Sequence, residues 1–419
     1  MDEIGREEKR REMLETFRQE LEQWPETDRL PEAASQDMRY YLQLQKKRLK
    51  AHGLSVKLRL EPTDTVRHFC ALFLNETAQN LYAQHVIRKI SWFRREKQLL
   101  RQENYLAMFG TILDPEETDL GDRTVCCPNC GSVSNLRTLE DGGCPYCGTR
   151  YLMKDLYPRL VNYYYFEEGL KHESQYAKDR KYIFIWGLIL TKIASMLCCA
   201  AILGSYDPVR CVGAMMFLMP VLLPFGLILG WWGVLLWDFL RISGLAGKYI
   251  HLVKDTHGQK EKITRELSKV DPDFSYAYFE GKALSLFRVL AFHEDPGSWV
   301  QYAGPSSKVN FGDIVDIQYR GGISLQKICR EAGKIRAELT LYLTHTLDDG
   351  KKLRRKDENI RLCLSHNADF PVNREFSLLQ VRCRGCGGSF DAGKQRCCPF
   401  CGDAYQADLE DWIITDVKR

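Results

Sequence analysis

Residues 337–344 read Ala-Glu-Leu-Thr-Leu-Tyr-Leu-Thr, and residues 360–365 read Ile-Arg-Leu-Cys-Leu-Ser. Ala337, Leu339, Leu341 and Leu343 alternate with Glu338, Thr340, Tyr342 and Thr344, and Ile360, Leu362 and Leu364 alternate with Arg361, Cys363 and Ser365. A period of two puts every apolar side chain on one face of a pleated strand, so both segments are expected as long strands. Asp348-Asp349-Gly350 between them supplies turn chemistry. Phe376, Leu378 and Gln380 begin a third run, and residues 412–417 offer a fourth. Strands that follow one another directly, after helices, imply an antiparallel sheet packed on helices, an α+β domain.

Upstream, Asp271-Pro272-Asp273 looks like a helix start, because proline fits an early helical position and aspartate suits the positive N-terminus. Phe279, Ala283, Leu286, Phe287 and Leu290 follow at helical spacing. Near the beginning of the chain, Met13, Phe17, Leu21 and Trp24 mark one helical face that Pro25 and Pro31 end, and a second helix is expected over 36–49. The stretch 63–109 reads as two or three more helices, with Phe69, Phe73, Leu81, Val86, Ile90 and Phe93 on the apolar face.

The 419 residues include 16 cysteines, eight of them in four Cys-x-x-Cys pairs. Cys127-Pro-Asn-Cys130-Gly131 is followed after 13 residues by Cys144-Pro-Tyr-Cys147-Gly148, and Cys383-Arg-Gly-Cys386-Gly387 after 11 by Cys398-Pro-Phe-Cys401-Gly402. Two residues between cysteines let one tight turn aim both sulfurs at a tetrahedral ion, and the glycine behind each pair tolerates positive φ. Two structural Zn2+ sites of four thiolates each are expected, closed to substrate. Cys126 and Cys397 have no geometric slot in them. The chain opens Met-Asp-Glu-Ile-Gly-Arg-Glu-Glu, so no cleaved signal peptide is expected and the thiols belong in a reducing compartment.

Mean hydropathy is −0.33, yet residues 211–237 carry no charge and residues 182–206 carry one, Lys192. A membrane span needs roughly 20 apolar residues. The two runs, joined by the short loop 204–210, are therefore expected as a transmembrane hairpin in the cell membrane. Lys178, Arg180, Lys181, Arg241, Lys248 and Lys254 flank it against Arg210 in the turn, which puts both termini in the cytoplasm. Gly226 and Gly230 are spaced for close packing on Ala194, Ala200 or Ala201.

From Ile263 to about Val381 the chain resembles the Tim forty-four-like superfamily, the C-terminal domain of the mitochondrial presequence-translocase membrane anchor and its bacterial relatives. The residues that carry the likeness are Val270-Asp271-Pro272-Asp273-Phe274, then Phe279-Glu280-Gly281-Lys282-Ala283-Leu284-Ser285-Leu286-Phe287, with the strands from Ile335 and Ile360. The resemblance implies a cone-shaped α+β fold with a curved sheet and an apolar pocket, in a class that binds at membranes or holds partners. The whole chain is then expected as an α+β multidomain membrane protein. Its parts run as a helical N-terminal region (1–119), a zinc ribbon (120–150), a linker (151–181), a two-helix transmembrane hairpin (182–240), a basic linker helix (241–270) and a cone-like α+β domain (271–382). A second ribbon (383–404) is inserted before a C-terminal strand (405–419) that returns to pair beside 376–382.

The net charge of +4, from 59 basic and 55 acidic residues, speaks against binding nucleic acid by bulk charge. The nine histidines stand apart from any nucleophile or acid motif, and no P-loop, GxSxG or HExxH sequence occurs. The expectation is a non-enzymatic, membrane-anchored scaffold that binds a protein partner or a membrane surface. The alternative is a membrane tether for nucleic acid or the ribosome, using the ribbons and the basic run Lys351, Lys352, Arg354, Arg355 and Lys356 at a hairpin tip. That run reads first as a solvated turn, then as an anionic-lipid contact and only after these as an RNA contact, since it lacks the interleaved aromatics that stack bases. Transport through the hairpin would need an oligomer, because two helices cannot enclose a pathway.

Overall fold

The computed structural model describes residues 3–63, 79–114, 124–127, 129–150, 156–167, 173–203, 223–236, 239–240, 243, 258–272, 274–370, 372 and 380–419. Two units separate: Met1–Glu167 with Asp255–Arg419, and Glu168–Lys254.

The larger unit contains two four-stranded antiparallel sheets. Helices α1 (Glu3–Gln23) and α2 (Gln36–Ala51) come first, as the spacing of Phe17 and Leu21 requires. The chain then departs from the expected helices. β1 (Leu54–Pro62), β2 (Gln79–Arg94) and β3 (Lys97–Leu113) form a meander, and β6 (Arg159–Glu167), from the segment taken as a linker, pairs with β3 to give the order β1-β2-β3-β6. Phe69 and Phe73 lie outside the described residues. The misreading has a physical cause. Val86 and Ile90 satisfy helical and strand spacing alike, while the inward positions 80 and 88 of β2 carry polar Asn80 and Arg88, both buried. Those two side chains erase the alternation. The β2–β3 turn is built by Arg95 (φ 46°) and Glu96 (φ 67°), so no Asn-Gly signal announced a turn whose two central residues need positive φ.

The second sheet takes the order β12-β9-β8-β7 from β7 (Ile314–Glu331), β8 (Lys334–Asp348), β9 (Leu353–Asn367) and β12 (Ile413–Lys418). β8 and β9 are the alternating runs of the sequence, with Leu339, Leu341, Ile360, Leu362 and Leu364 buried. β12 does return to the sheet, but it pairs with β9, Ile413 opposite Ser365 and Lys418 opposite Arg361. Residues 376–379 lie outside the described set, and Gln380–Arg382 pairs inside the ribbon instead. α5 (Gln259–Leu267) and α6 (Tyr276–Phe292) cover this sheet. α6 starts later than Pro272 suggests: Ser275 is its cap, accepting from the amide of Tyr278 at 3.4 Å. Its Phe279, Leu286, Phe287 and Leu290 are buried, each contributing about 1.5–3 kcal/mol.

One hydrophobic core runs through both sheets. α2 is the joint: Gln45 donates to the Val315 carbonyl at 3.3 Å and Arg48 to the Phe311 carbonyl at 2.7 Å, while Tyr41 packs on Phe292 with centroids 5.7 Å apart. At the sheet margins Arg94 lies 2.6 Å and His52 2.8 Å from the buried carboxylate of Asp348.

The smaller unit holds α4 (Glu173–Leu203) and a helical run over 223–236. The Gly226 and Gly230 backbones approach Gly187, and a Cβ at Gly226 would stand 2.0 Å from the Thr191 hydroxyl; the side chains of Ala200 and Ala201 lie outside the described residues. Among the described residues no helix is long and apolar enough to cross a membrane, which overturns the expectation of a two-span membrane protein and the topology of its termini. α4 opens on the charged segment Glu173–Lys181 and carries Lys192 within its apolar part. The fold class is thus α+β with two four-stranded antiparallel sheets, and the described residues include no membrane-spanning helix.

Candidate metal centres

Four turns of one design position the eight cysteines. In each, the glycine amide after a Cys-x-x-Cys pair donates to the carbonyl of the first cysteine: Gly131 to Cys127 at 2.7 Å, Gly148 to Cys144 at 2.8 Å, Gly387 to Cys383 and Gly402 to Cys398 at 2.9 Å. These glycines have φ of 74°, 73°, 73° and 81°, values that a side chain resists. The first cysteine of every pair is buried and the second exposed.

The sulfurs converge in two quartets, Cys127, Cys130, Cys144, Cys147 and Cys383, Cys386, Cys398, Cys401, each lying within 4.8 Å of one another. Cys127 and Cys147 are 3.7 Å apart, Cys130 and Cys144 3.6 Å, Cys383 and Cys401 3.5 Å, Cys386 and Cys398 3.5 Å. A tetrahedral ion with metal–sulfur bonds of about 2.3 Å sets its ligands about 3.8 Å apart, whereas a disulfide needs about 2.05 Å. The quartets fit the former, so each could hold a metal ion. Burial pushes the Cys144 thiol up, but hydrogen bonds with Ser132 and the amides of Tyr146 and Cys147 outweigh it and bring it down to about 6. At Cys398 burial is likewise outweighed, by the amides of Cys401 and Phe400, leaving about 7. Both thiols therefore lose their proton ahead of Cys127 and Cys401, which burial and the adjacent sulfurs push up to about 12 and whose protons a metal would displace. Ser132 Oγ stands 3.0 Å from Cys130 Sγ and 3.1 Å from Cys144 Sγ, and Thr149 Oγ1 3.4 Å from Cys147 Sγ, partners that orient the ligands. Cys397 is exposed and belongs to neither quartet; the side chain of Cys126 lies outside the described residues.

In the first ribbon β4 (Thr124–Cys126) pairs with β5 (Val133–Asn135), and α3 (Leu136–Asp141) buries Leu136 and Leu139 against Cys127 and Cys144. In the second, β10 (Gln380–Arg382) pairs with β11 (Ser389–Asp391), and Val381 and Phe390 share a small core with Val300 and Ile413 of the sheet domain. Arg396 fastens it, donating to the carbonyl of Tyr302 at 2.9 Å.

What the sequence did not disclose is that the two ribbons dock on each other. The Val133 amide donates to Ser389 Oγ at 3.0 Å, and Tyr146 Oη donates to the Gly387 carbonyl at 3.0 Å. Nothing in either motif signals this, since the contacts rest on one serine hydroxyl, one tyrosine hydroxyl and backbone groups. The basic run is elsewhere. It spans the β8–β9 turn and the start of β9, with Lys351 and Lys352 in the turn, Arg354, Arg355 and Lys356 in the strand, and all five exposed. Arg354 lies 3.5 Å from Asp349, Lys356 2.8 Å from Glu358, and Arg355 donates to Gln318 at 2.8 Å. The second ribbon joins β9 near Ser365, which at ~3.3 Å per residue is about 40 Å along the strand from Leu353. The structure does not bring the basic run to the metal sites.

Comparison with known proteins adds no relative: no family model, no curated protein and no solved structure matches the chain. The resemblance to the Tim forty-four-like superfamily therefore stands on its quoted residues alone.

Proposed function

We propose that this chain is a zinc-clamped scaffold without chemistry of its own, whose joined ribbons present a docking face to a protein partner. The observation that carries the reading is the ribbon–ribbon contact, which turns two distant four-cysteine sites into one module with aromatic tips. Tyr146 is 51% and Phe400 67% exposed there, and exposed aromatics are the residues that anchor protein interfaces. Sites of four thiolates leave no open position for a reacting water, which suits a structural ion. The Tim forty-four-like resemblance belongs to the same reading, as a helix-and-sheet domain that holds partners. The separation of the basic run from the ribbons favours a protein over nucleic acid, because a shared polyanion would have to bridge both.

Photo-crosslinkers placed at Tyr146 and at Phe400 of the full chain, in its native cells, test the proposal. One protein adduct common to both positions, and missing from a control crosslinker at Lys57, is expected. Adducts with RNA at these positions would overturn it in favour of a ribosome or nucleic-acid tether.

A further inference from the structure

Between the two sheets of the larger unit lies a small, partly open cavity of about 40 Å³. β2 and β6 wall one side and β7 the other, and α1, α2 and α6 contribute Leu21, Gln45 and Arg288. Two guanidinium groups stand in this wall, Arg88 at 5% and Arg288 at 2% exposure. Arg88 lies over the ring of Tyr165 at 4.9 Å with Nη2 3.4 Å from Asp316 Oδ2. Arg288 lies over Tyr163 at 5.3 Å and Tyr41 at 5.2 Å, donating to Asn162 Oδ1 at 2.8 Å and to the Tyr163 carbonyl at 2.9 Å. The rings of Tyr163 and Tyr165 are 5.8 Å apart, so the two cations sit on neighbouring rings of one strand.

Among the lining residues the charges do not balance, and the nearby carboxylate of Glu280 is taken up by the hydroxyls of Tyr319 and Tyr276 rather than by either guanidinium. Asp316 answers one guanidinium while also accepting from Gln45 at 3.0 Å, and the hydrogen-bond partners of Arg288 are neutral. Stacking on aromatic rings offsets part of the cost of a buried cation, not all of it. The unsatisfied hydrogen-bonding groups point the same way. The buried polar atoms of this lining that lack a partner are Nε of Arg88, Nε of Arg288, the indole Nε1 of Trp24 and of Trp92, and the Tyr165 hydroxyl. All five can donate, and none is an obligate acceptor. A carboxylate is their complement, since it only accepts and takes a guanidinium with two parallel bonds. An excess of one positive charge matches a monoanion, and the aromatic and aliphatic remainder of the wall matches an apolar body.

We propose that this cavity binds a small apolar monocarboxylate, its carboxylate held by Arg88 and Arg288 and its hydrocarbon part against Leu49, Ile90 and Trp92. Trp24 and Trp92 give the readout. Titrating the metal-loaded full chain with butyrate and with benzoate should change tryptophan fluorescence saturably and raise the thermal midpoint. Inorganic phosphate and sulfate at equal concentration should do neither. Arg288→Met and Arg88→Met should each weaken the carboxylate about tenfold or more, and Trp92→Phe should diminish the fluorescence change while the thermal shift persists. The wild-type titrations stand on their own if an arginine variant fails to fold. No saturable response to either carboxylate, an equal response to phosphate, or undiminished affinity in a folded Arg288→Met would overturn the assignment.

Discussion

Replacing Asp411 with asparagine removes one charge from an ion pair that is enclosed on both sides. Lys282 Nζ on α6 lies 2.8 Å from Asp411 Oδ2, with the two side chains 7% and 0% exposed. Tyr278 donates its hydroxyl to the same carboxylate, and the Trp412 amide donates to Oδ1 at 2.7 Å. Breaking a buried pair from one side costs about 3–5 kcal/mol, because the remaining charge loses its counterion without regaining water. An amide keeps the shape and one acceptor oxygen, which can still accept from the Trp412 amide while its nitrogen donates to the Tyr278 hydroxyl, so the lower end, about 3 kcal/mol, applies. In a unit of this size 1 kcal/mol moves the midpoint by about 2 °C, so Asp411→Asn should unfold about 6 °C below wild type in a metal-loaded thermal scan. Lys282→Met on top of it removes the stranded ammonium and should recover at least half of the loss. If the double variant is no more stable than Asp411→Asn alone, the charge on Lys282 is not what the carboxylate compensates and the reasoning fails.

Elemental analysis of protein purified without chelator should find about two zinc ions per chain, with one lost in Cys144→Ser or Cys398→Ser; metal near zero in the wild type refutes the centres. Glu358 is held down at about 2, burial being outweighed by Lys356, His345 and Arg419. Its contribution is therefore full above its unfolded value and fades as pH falls from about 4.5 towards 2. Glu358→Gln should be least stable relative to wild type near neutrality and converge with it in acid; a gap that stays constant with pH contradicts this. Truncation after Ala407 removes buried Trp412, Ile413, Ile414 and Val417 and bares the edge of β9, so the larger unit should lose its cooperative transition or aggregate. An unchanged midpoint would mean the strand is ornamental.

How far the sequence could be read varied with how many positions followed the local rule. β8 and β9 were legible because nearly every second residue is apolar, and the ribbons because the cysteine spacing admits few geometries. β2 and β3 were not, since buried Arg88 and Asn80 break the alternation and their turn uses Arg95 and Glu96. The same Arg88 reappears in the inter-sheet cavity, so the residue that hid the strand is one that distinguishes the site. Arg288 was visible in principle: a lone cation inside Leu286-Phe287-Arg288-Val289-Leu290 has no solvated face to occupy on a core helix. The apolar stretch differs from the expectation because the helix Glu173–Leu203 opens on the charged segment Glu173–Lys181 and carries Lys192 within its apolar part. The docking of the ribbons was invisible, since it rests on a serine hydroxyl, a tyrosine hydroxyl and backbone groups.

That docking also sets a timetable. Each quartet closes locally, across 20 residues in Cys127–Cys147 and 18 in Cys383–Cys401, so either ribbon can form soon after its last cysteine leaves the ribosome. The contacts between them span far more chain, 256 residues from Val133 to Ser389 and 241 from Tyr146 to Gly387. At about 5–20 residues per second, the first ribbon waits roughly 10–50 s during synthesis for its counterpart. Through that interval β5 presents an open edge and the Tyr146 hydroxyl has yet to meet Gly387. A nascent chain halted near residue 380 should therefore hold its first metal yet be stickier than the finished protein, and the second ribbon acts as the cover that ends the exposure.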